Sequence, residues 1–492
     1  MKYKITALLL VCLLLLSGCA AEAPAETTAA PTETVTEPET TEPPETEPET
    51  EPETTEEPDI ATEKEIVLYF ADWYLDTKTA QEGAEVCSIP WDKITYVNHA
   101  FWAVEPDDGS TETSFERREA GEAPRTKFKV VSTLPEADFE DDSPSTMVPD
   151  LPRNHFAQYA VYAEKYPEVN VLISIGGWTK CGYFSEMAYT PEGRSSFVQS
   201  CMDTLEEYPW LDGFDIDWEY FGGSKDGERK PEDENDQGCP IWGTSEEDSE
   251  NFGLLAKELR EAMDSKYGPG VKKLTACASG SSGWTLPMQN WRLPGPYMDL
   301  INIMTYDMAG MWDHATGHAS RVLHCKDAVT VMNLGHKQPH KKLCIGTPMY
   351  GTDFKMLKEP GDRGPVGSPI EMTPPAKEEI TQEMLRAWEA EAVSGYETVV
   401  VDGKLAVGDT FDNGGVGWHY GFDKFNEAAY IYNDDPDSEY YLWYVSYETP
   451  ITLQAKLDFI DQTGIAGIIV WECSQDTYDH QMITQMADHL LK

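Results

Sequence analysis

Residues 211–220 read Leu211-Asp212-Gly213-Phe214-Asp215-Ile216-Asp217-Trp218-Glu219-Tyr220. Side chains alternate along a β-strand, so Asp215, Asp217 and Glu219 share one face at intervals of about 6.6 Å, while Phe214, Ile216 and Trp218 share the other. A closed barrel accommodates this pattern with the acids pointing inward and the apolar residues toward surrounding helices. A solvated acidic edge strand would instead leave the apolar residues facing water. Three acids inside a barrel are costly: burial and mutual repulsion raise at least one pKa, which supplies a carboxylic acid still protonated near neutral pH. Glu219 ends the strand on the side where active sites of such barrels lie, and is the natural proton donor.

On either side of this strand, short apolar runs alternate with helical patterns, the signature of βα units around a parallel sheet. Strands are expected at Ile66–Ala71, Ile94–Val104, Val171–Gly176, Gly213–Trp218, Leu274–Ala278, Leu300–Tyr306, Leu343–Pro348 and Gly467–Trp471, with helices at His155–Tyr166, Pro191–Tyr208, Asp248–Lys266 and Thr452–Thr463. Eight strands make an α/β fold of the (β/α)8 TIM-barrel type. Such a barrel needs about 250 residues, so residues 66–492 must carry long inserts. Glu105–Asp150 and Phe221–Glu247 are acidic and rich in Gly and Pro, as solvated surface loops are. The third insert, about 352–441 after strand 7, contains strand-like stretches (Glu397–Val401, Gly417–Tyr420) and is expected to form a small α+β insertion domain.

The chain has 492 residues and a formal charge of −51, which repels phosphate backbones and argues against a nucleic-acid partner. Residues 1–19 carry Lys2 and Lys4 followed by an apolar run, Ile5–Leu16, too short to span a bilayer comfortably, and read as an export signal. The run ends in Leu16-Ser17-Gly18-Cys19, which resembles a bacterial lipobox and marks Cys19 for lipid attachment at the outer face of the cell membrane. The alternative is an ordinary cleaved signal peptide. Residues 20–65 are Thr, Glu, Pro and Ala with 16 acids against one Lys, a disordered tether with a reach between about 40 and about 140 Å. No repeat of 20 to 50 residues indicates a solenoid or propeller. Eight cysteines remain beyond Cys12 and Cys19; they are dispersed, select no pairing, and form no zinc cluster. His99, His314, His318 and His419 lack metal-ligand spacing and read as satisfied or surface residues. No metal, no cofactor and a monomeric state are expected.

Asp212 to Tyr220 resembles the Asp-x-x-Asp-x-Asp-x-Glu signature of glycoside hydrolase family 18, the chitinase family, and the resemblance extends over most of residues 66–492. Tyr69-Phe70-Ala71-Asp72-Trp73 looks like the family's first strand, Thr95–Phe101 its second, Ser174-Ile175-Gly176-Gly177-Trp178 its third, and Met304-Thr305-Tyr306-Asp307 its sixth. Gly346-Thr347-Pro348-Met349-Tyr350-Gly351 looks like its seventh, and Gly467–Trp471 its eighth. An insert after Tyr350-Gly351 falls where members with a deep cleft carry an extra α+β domain.

The resemblance implies a retaining glycosidase whose substrate supplies the nucleophile through its own acetamido oxygen. Glu219 then acts as acid and base, Asp217 holds the acetamido N–H, Asp215 shares a proton with Asp217, and Tyr306 donates to the acetamido oxygen. Trp471 is the implied sugar floor, with Met304, Asp307, Tyr69, Phe101, Trp178, Tyr220 and Tyr350 as further substrate-binding positions; Trp73 is a weaker one. Asp212, out of phase with the other acids, is expected to bond backbone or Ser174. Thr352, where many members have Arg, and Phe221-Gly222, where Pro is usual, bear on the outer subsites. The expected substrate is chitin or chito-oligosaccharide. Peptidoglycan or an N-glycan core offers the same acetamido group, and a lipoprotein that only binds sugar would share the signal and tether, although Glu219 is intact.

Lipidation at Cys19 predicts that the wild type stays with the membrane fraction until a protease cuts the tether, and that Cys19→Ala is shed or left unprocessed. Fractionation followed by immunoblotting checks this; unmodified full-length wild type free in the medium contradicts it.

Overall fold

The computed structural model describes residues 59–73, 85–223, 228–231, 235–361, 364–372, 379–392, 400–401, 404–405 and 416–492. The export signal, Cys19 and the tether through residue 58 lie outside the described residues, as do residues 397–399 of the strand expected at Glu397–Val401. No helix among the described residues is long and apolar enough to cross a membrane.

Eight parallel strands close a barrel: β1 (Glu65–Ala71), β2 (Tyr96–Pro106), β3 (Asn170–Gly176), β4 (Gly213–Asp217), β5 (Lys273–Ser279), β6 (Leu300–Met304), β7 (Leu343–Pro348) and β8 (Gly467–Trp471). Each pairs with its neighbour in chain order, and β8 returns to β1. Helices follow where polar residues supply caps. Asn154 accepts from the Ala157 amide ahead of His155–Lys165, and Thr190 from that of Gly193 ahead of Pro191–Glu207. Thr244 does the same for Ser245–Tyr267; Thr449 and Thr452 form a capping box at Pro450–Thr463, which ends on left-handed Gly464.

Side-chain alternation divides the apolar residues into two layers. Phe214, Ile216 and Trp218 join the large core between strands and helices, whereas Val67, Tyr69, Leu172, Cys277, Met304 and Ile469 fill the barrel interior.

The tether is shorter than the composition suggests. The Ala61 amide donates to the Gly464 carbonyl and Lys64 Nζ to that of Ile465, so residues from 59 onward are seated on the barrel beside the last helix–strand turn. The two acidic inserts also depart from solvated loops. Phe128–Ser132 extends the sheet antiparallel to β2, and Asp138 is fully buried, accepting from Trp102 Nε1 at 3.0 Å and Ser132 Oγ at 2.6 Å while contacting both His99 and His155. An acid with this many partners can be buried without a large penalty. Within 221–247, Asp236, Cys239 and Ile241 are buried, and Arg118 clamps Glu228 through both guanidinium nitrogens.

After β7 the chain builds a five-stranded antiparallel sheet in the order Ile380–Thr381, Tyr350–Lys355, Trp443–Tyr447, Ala428–Asn433, Trp418–Asp423. The helix Gln382–Ala392 covers it through Leu385 and Trp388, the latter stacked on Trp418 at 4.7 Å. The sheet begins at Tyr350 and runs on to Tyr447, beyond the expected edge at Tyr441, because Trp443–Tyr447 is its central strand. Just past that strand, Glu448 forms an ion pair with Lys456 of the helix Pro450–Thr463 that leads into β8; both are fully buried, and Glu448 also accepts from Thr347 Oγ1 of β7 at 2.8 Å.

Removing one partner of a buried pair leaves an uncompensated charge. Lys456→Met should therefore cost about 3–5 kcal/mol in urea unfolding, and adding Glu448→Leu should recover part of that loss. A single variant as stable as wild type would show that the pair does not hold sheet to barrel.

Candidate active site

Asp215, Asp217 and Glu219 point into the mouth of the barrel from β4 and the residues that follow it; Asp215 is fully buried and Glu219 is 8% exposed. Register explains how the innermost acid is held. Asp215 lies opposite Ser174 of β3 and Thr275 of β5. Its Oδ1 accepts from Thr275 Oγ1 and from Asn302 Nδ2 at 3.2 Å; its Oδ2 accepts from Ser174 Oγ at 2.8 Å, Tyr69 hydroxyl at 2.9 Å and Cys277 Sγ at 3.5 Å. Burial pushes this carboxyl up, and these donors oppose it by stabilising the anion.

Five donors thus meet the two oxygens of Asp215. Asp217 Oδ1 is buried with no hydrogen-bond partner. Burial, then the neighbouring Glu219 and Asp215, push Asp217 well above the carboxylate range. Burial also pushes Glu219 up to about 7, against the opposing pull of the Tyr220 hydroxyl and the Arg229 charge. Asp217 and Glu219 titrate as a pair rather than singly.

Backbone contacts fix these carboxyls in place. Gly177 N–H donates to the Asp217 carbonyl at 2.8 Å, Cys181 Sγ donates to the same carbonyl at 3.2 Å, and Cys181 accepts from the Glu219 amide at 3.1 Å. Gly176 has φ +115° and a Cβ there would sit 2.2 Å from the Asp217 carbonyl oxygen, so the approach of β3 to β4 requires this glycine, while a Cβ on Gly177 would meet the Phe101 ring at 2.7 Å. The peptide bonds Ala100–Phe101, Glu219–Tyr220 and Trp471–Glu472 are cis.

Tyr306 follows the end of β6, two residues beyond Met304; both are 7% exposed. Its ring lies where a Cβ on Gly346 would meet it at 2.8 Å. Trp471 ends β8 stacked on Phe101 at 5.5 Å, with Trp73 6.2 Å from both rings, which makes a three-ring floor. Tyr350 donates to Asp307 Oδ1 at 2.6 Å at the rim. A cleft of ≈ 480 Å³ opens beside Glu219 and Tyr220, walled by Trp178, Arg229, Trp284 and Met288.

One sequence expectation changes, and the backbone bond expected of Asp212 is found. Tyr69 is 1% exposed and hydrogen-bonds Asp215, so it supports the acid row from below the cleft and is not a sugar contact. Asp212 accepts from the Val171 amide at 3.0 Å, while Ser174 serves Asp215 instead. Thr275, Cys277 and Asn302 were not singled out as site residues. Their inward phase, alternating with Ala276 and Ile301, was the available signal, but only strand register tells which inward residues meet Asp215. His99, Asp138 and His155 come together with potential ligand atoms within 4.8 Å, far apart in sequence; both imidazoles contact the same Asp138 oxygen, at 2.9 and 3.0 Å, which are hydrogen-bond distances. All eight described cysteines are free.

The profile of the glycosyl hydrolases family 18 matches residues 65–476. The chain is 26% identical over 462 residues to a chitinase, ChiA, of Flavobacterium johnsoniae, and 24% identical over 458 residues to chitinase A of Pseudoalteromonas piscicida. These alignments cover 84% and 86% of the chain but span only 27% and 52% of the two relatives. Its fold is that of a group IV chitinase of Ostrinia furnacalis solved with allosamidin, with a TM-score of 0.64, 22% identity, and coverage of 87% of this chain and 99% of that one.

Glu219→Gln keeps shape and removes the proton. Turnover of a susceptible glycoside should fall by roughly 10² to 10⁴ while sugar binding survives, and the wild-type rate should decline as pH rises through the Glu219 transition near 7. Steady-state kinetics with calorimetric binding checks both; an active Glu219→Gln enzyme removes Glu219 from this role.

Proposed function

Because the chain belongs to the glycosyl hydrolases family 18, we propose that it is a lipid-anchored extracellular enzyme that hydrolyses β-1,4-linked N-acetylglucosamine in chitin or chito-oligosaccharides with retention of configuration. The observation that carries this reading is the buried Asp217 Oδ1 acceptor, which has no hydrogen-bond partner, with the Tyr306 hydroxyl, a donor, at the same barrel mouth. An acetamido group presents the complementary pair, an N–H and a C=O.

In the proposed reaction, Glu219 protonates the glycosidic oxygen as the acetamido oxygen of the same sugar attacks its anomeric carbon. The C–O bond to the leaving sugar breaks, and a positively charged oxazoline-type ring forms. Asp217 accepts from the acetamido N–H, and its negative charge stabilises the cation as it develops. Tyr306 aligns the attacking oxygen. Glu219, now ionised, takes a proton from the water that opens the ring on the face just vacated, which regenerates the acid and retains the anomer. Asp215, beneath Asp217, takes up the proton that Asp217 holds before substrate binds, which leaves Asp217 ionised against the developing positive charge, and the proton returns once product leaves. Trp471, Phe101 and Trp73 supply the apolar floor on which sugar rings stack.

Export and anchoring rest on the signal at residues 1–19, the lipobox Cys19 and the Thr/Glu/Pro tether. Parallel product profiles on chitin, peptidoglycan and an N-glycan separate the polymers that share the acetamido group.

Proton NMR of the first-formed product should show the retained anomer, and a thiazoline analogue of the intermediate should inhibit. Replacing the N-acetyl group at the scissile sugar by a free amine should abolish cleavage there, since an ammonium cannot attack and places positive charge beside the developing cation. An inverted product, or equal cleavage of deacetylated units, rules out this mechanism.

A further inference from the structure

We propose that Arg229 is a positioning residue of the cleft, which bolts the 221–247 segment onto the loop after β3 and sets a fixed positive charge beside Glu219. The inference rests on Glu219 acting as the acid of the proposed reaction, and concerns a segment that the family signature does not reach.

The geometry of the bolt is specific. The guanidinium lies over the Trp178 ring, with Cζ 4.2 Å from the centroid. One terminal nitrogen donates to the carbonyls of Trp178 and Gly238, and the other pairs with Asp236. Gly238 N–H closes the loop by donating to the same Asp236 oxygen at 2.7 Å. One planar cation therefore holds together an aromatic ring, two backbone carbonyls and a carboxylate, a task for which a lysine ammonium has neither the fork nor the stacking face. Trp178 is 52% exposed and shares the cleft wall with Arg229 and Glu219, so the bolt also fixes the orientation of a ring that faces bound substrate.

The ionisable groups around Glu219 are Asp215 and Asp217 of β4, the adjoining Tyr220, Cys181 after β3, Cys277 of β5, Tyr306 and Asp307 after β6, and Glu228 and Arg229 of the segment. Arg229 is the cation among them. Its charge opposes the burial that raises Glu219, which keeps the acid strong enough to release its proton in the transition state. Asp236 pairs with one terminal nitrogen of the guanidinium and offsets part of its field at Glu219.

Two variants separate the charge from the bolt. Arg229→Gln removes both; Arg229→Lys keeps the charge and loses the fork and the stack. The titration of the Glu219 carboxyl, followed by 13C NMR in glutamate-labelled protein and identified by its loss in Glu219→Gln, needs no substrate and so stands even if the proposed substrate is wrong. In Arg229→Gln it should move to higher pH, and in Arg229→Lys it should stay near the wild-type position. With N-acetylated chito-oligosaccharides, the alkaline limb of kcat should follow the same pattern, while KM should rise several-fold in both variants. An unmoved Glu219 titration in Arg229→Gln overturns the charge role, and an equal shift in both variants does the same by tracing it to loop collapse. Unchanged KM in both overturns the bolt. A wild type inactive on these sugars counts against the substrate reading, with the NMR titration still deciding the role of Arg229.

Discussion

The carboxylate of Asp215 is the point around which the barrel interior is arranged. A fully buried carboxylate is tolerable only when its lone pairs are occupied, and the donors come from β1 (Tyr69), β3 (Ser174), β5 (Thr275 and Cys277) and β6 (Asn302). Four strands besides β4 thus converge on two oxygen atoms. The register that closes the barrel is therefore the register that makes Asp215 affordable, and a slip of one residue would turn these donors toward the helices. The charge held there acts on Asp217, whose own oxygen Oδ1 is left for a ligand.

From this anchor the site grades outward from rigid to adaptable. Asp217 and Glu219 are fixed through backbone contacts with Gly177 and Cys181, and Tyr306 through packing against Gly346. Two rings of the aromatic floor, Phe101 within β2 and Trp471 at the end of β8, are positioned by the sheet, and Trp73 packs on both from just past β1. Beyond it, the cleft wall comes from the loops after β3 and β5 and from the 221–247 segment, where Arg229 replaces barrel register as the organising constraint. Such a division suits a site in which the reacting atoms require accuracy and the distant sugar units require only a surface.

The strand count, the strand positions and the acid row were legible in the sequence because each rests on short-range periodicity: alternation over five to seven residues separates inward from outward faces without knowledge of the partner strand. The inserts were less legible. Acidic, Gly- and Pro-rich composition suggested solvated loops, yet Asp138 and Glu228 are paired by residues distant in sequence, and composition cannot reveal a partner. The insertion sheet was placed after the seventh strand, but its central strand, Trp443–Tyr447, lies past the expected boundary because sheet order does not follow chain order.

The sequence by itself determined that Asp215, Asp217 and Glu219 share a face, that this face points into a barrel, and that Glu219 occupies its open end. These follow from the geometry of a single strand. Only the tertiary structure decided what each acid does with its neighbours: that five donors from four other strands meet Asp215, that Tyr69 bonds Asp215 beneath the acid row, and that Arg229 stacks on Trp178 in the wall that Glu219 shares. Those outcomes depend on which residues of separate strands and loops meet at one level of the barrel. Hydrogen bonds act over about 3 Å, so a contact between residues 100 positions apart is set by the closure of the whole sheet and has no local signature to read.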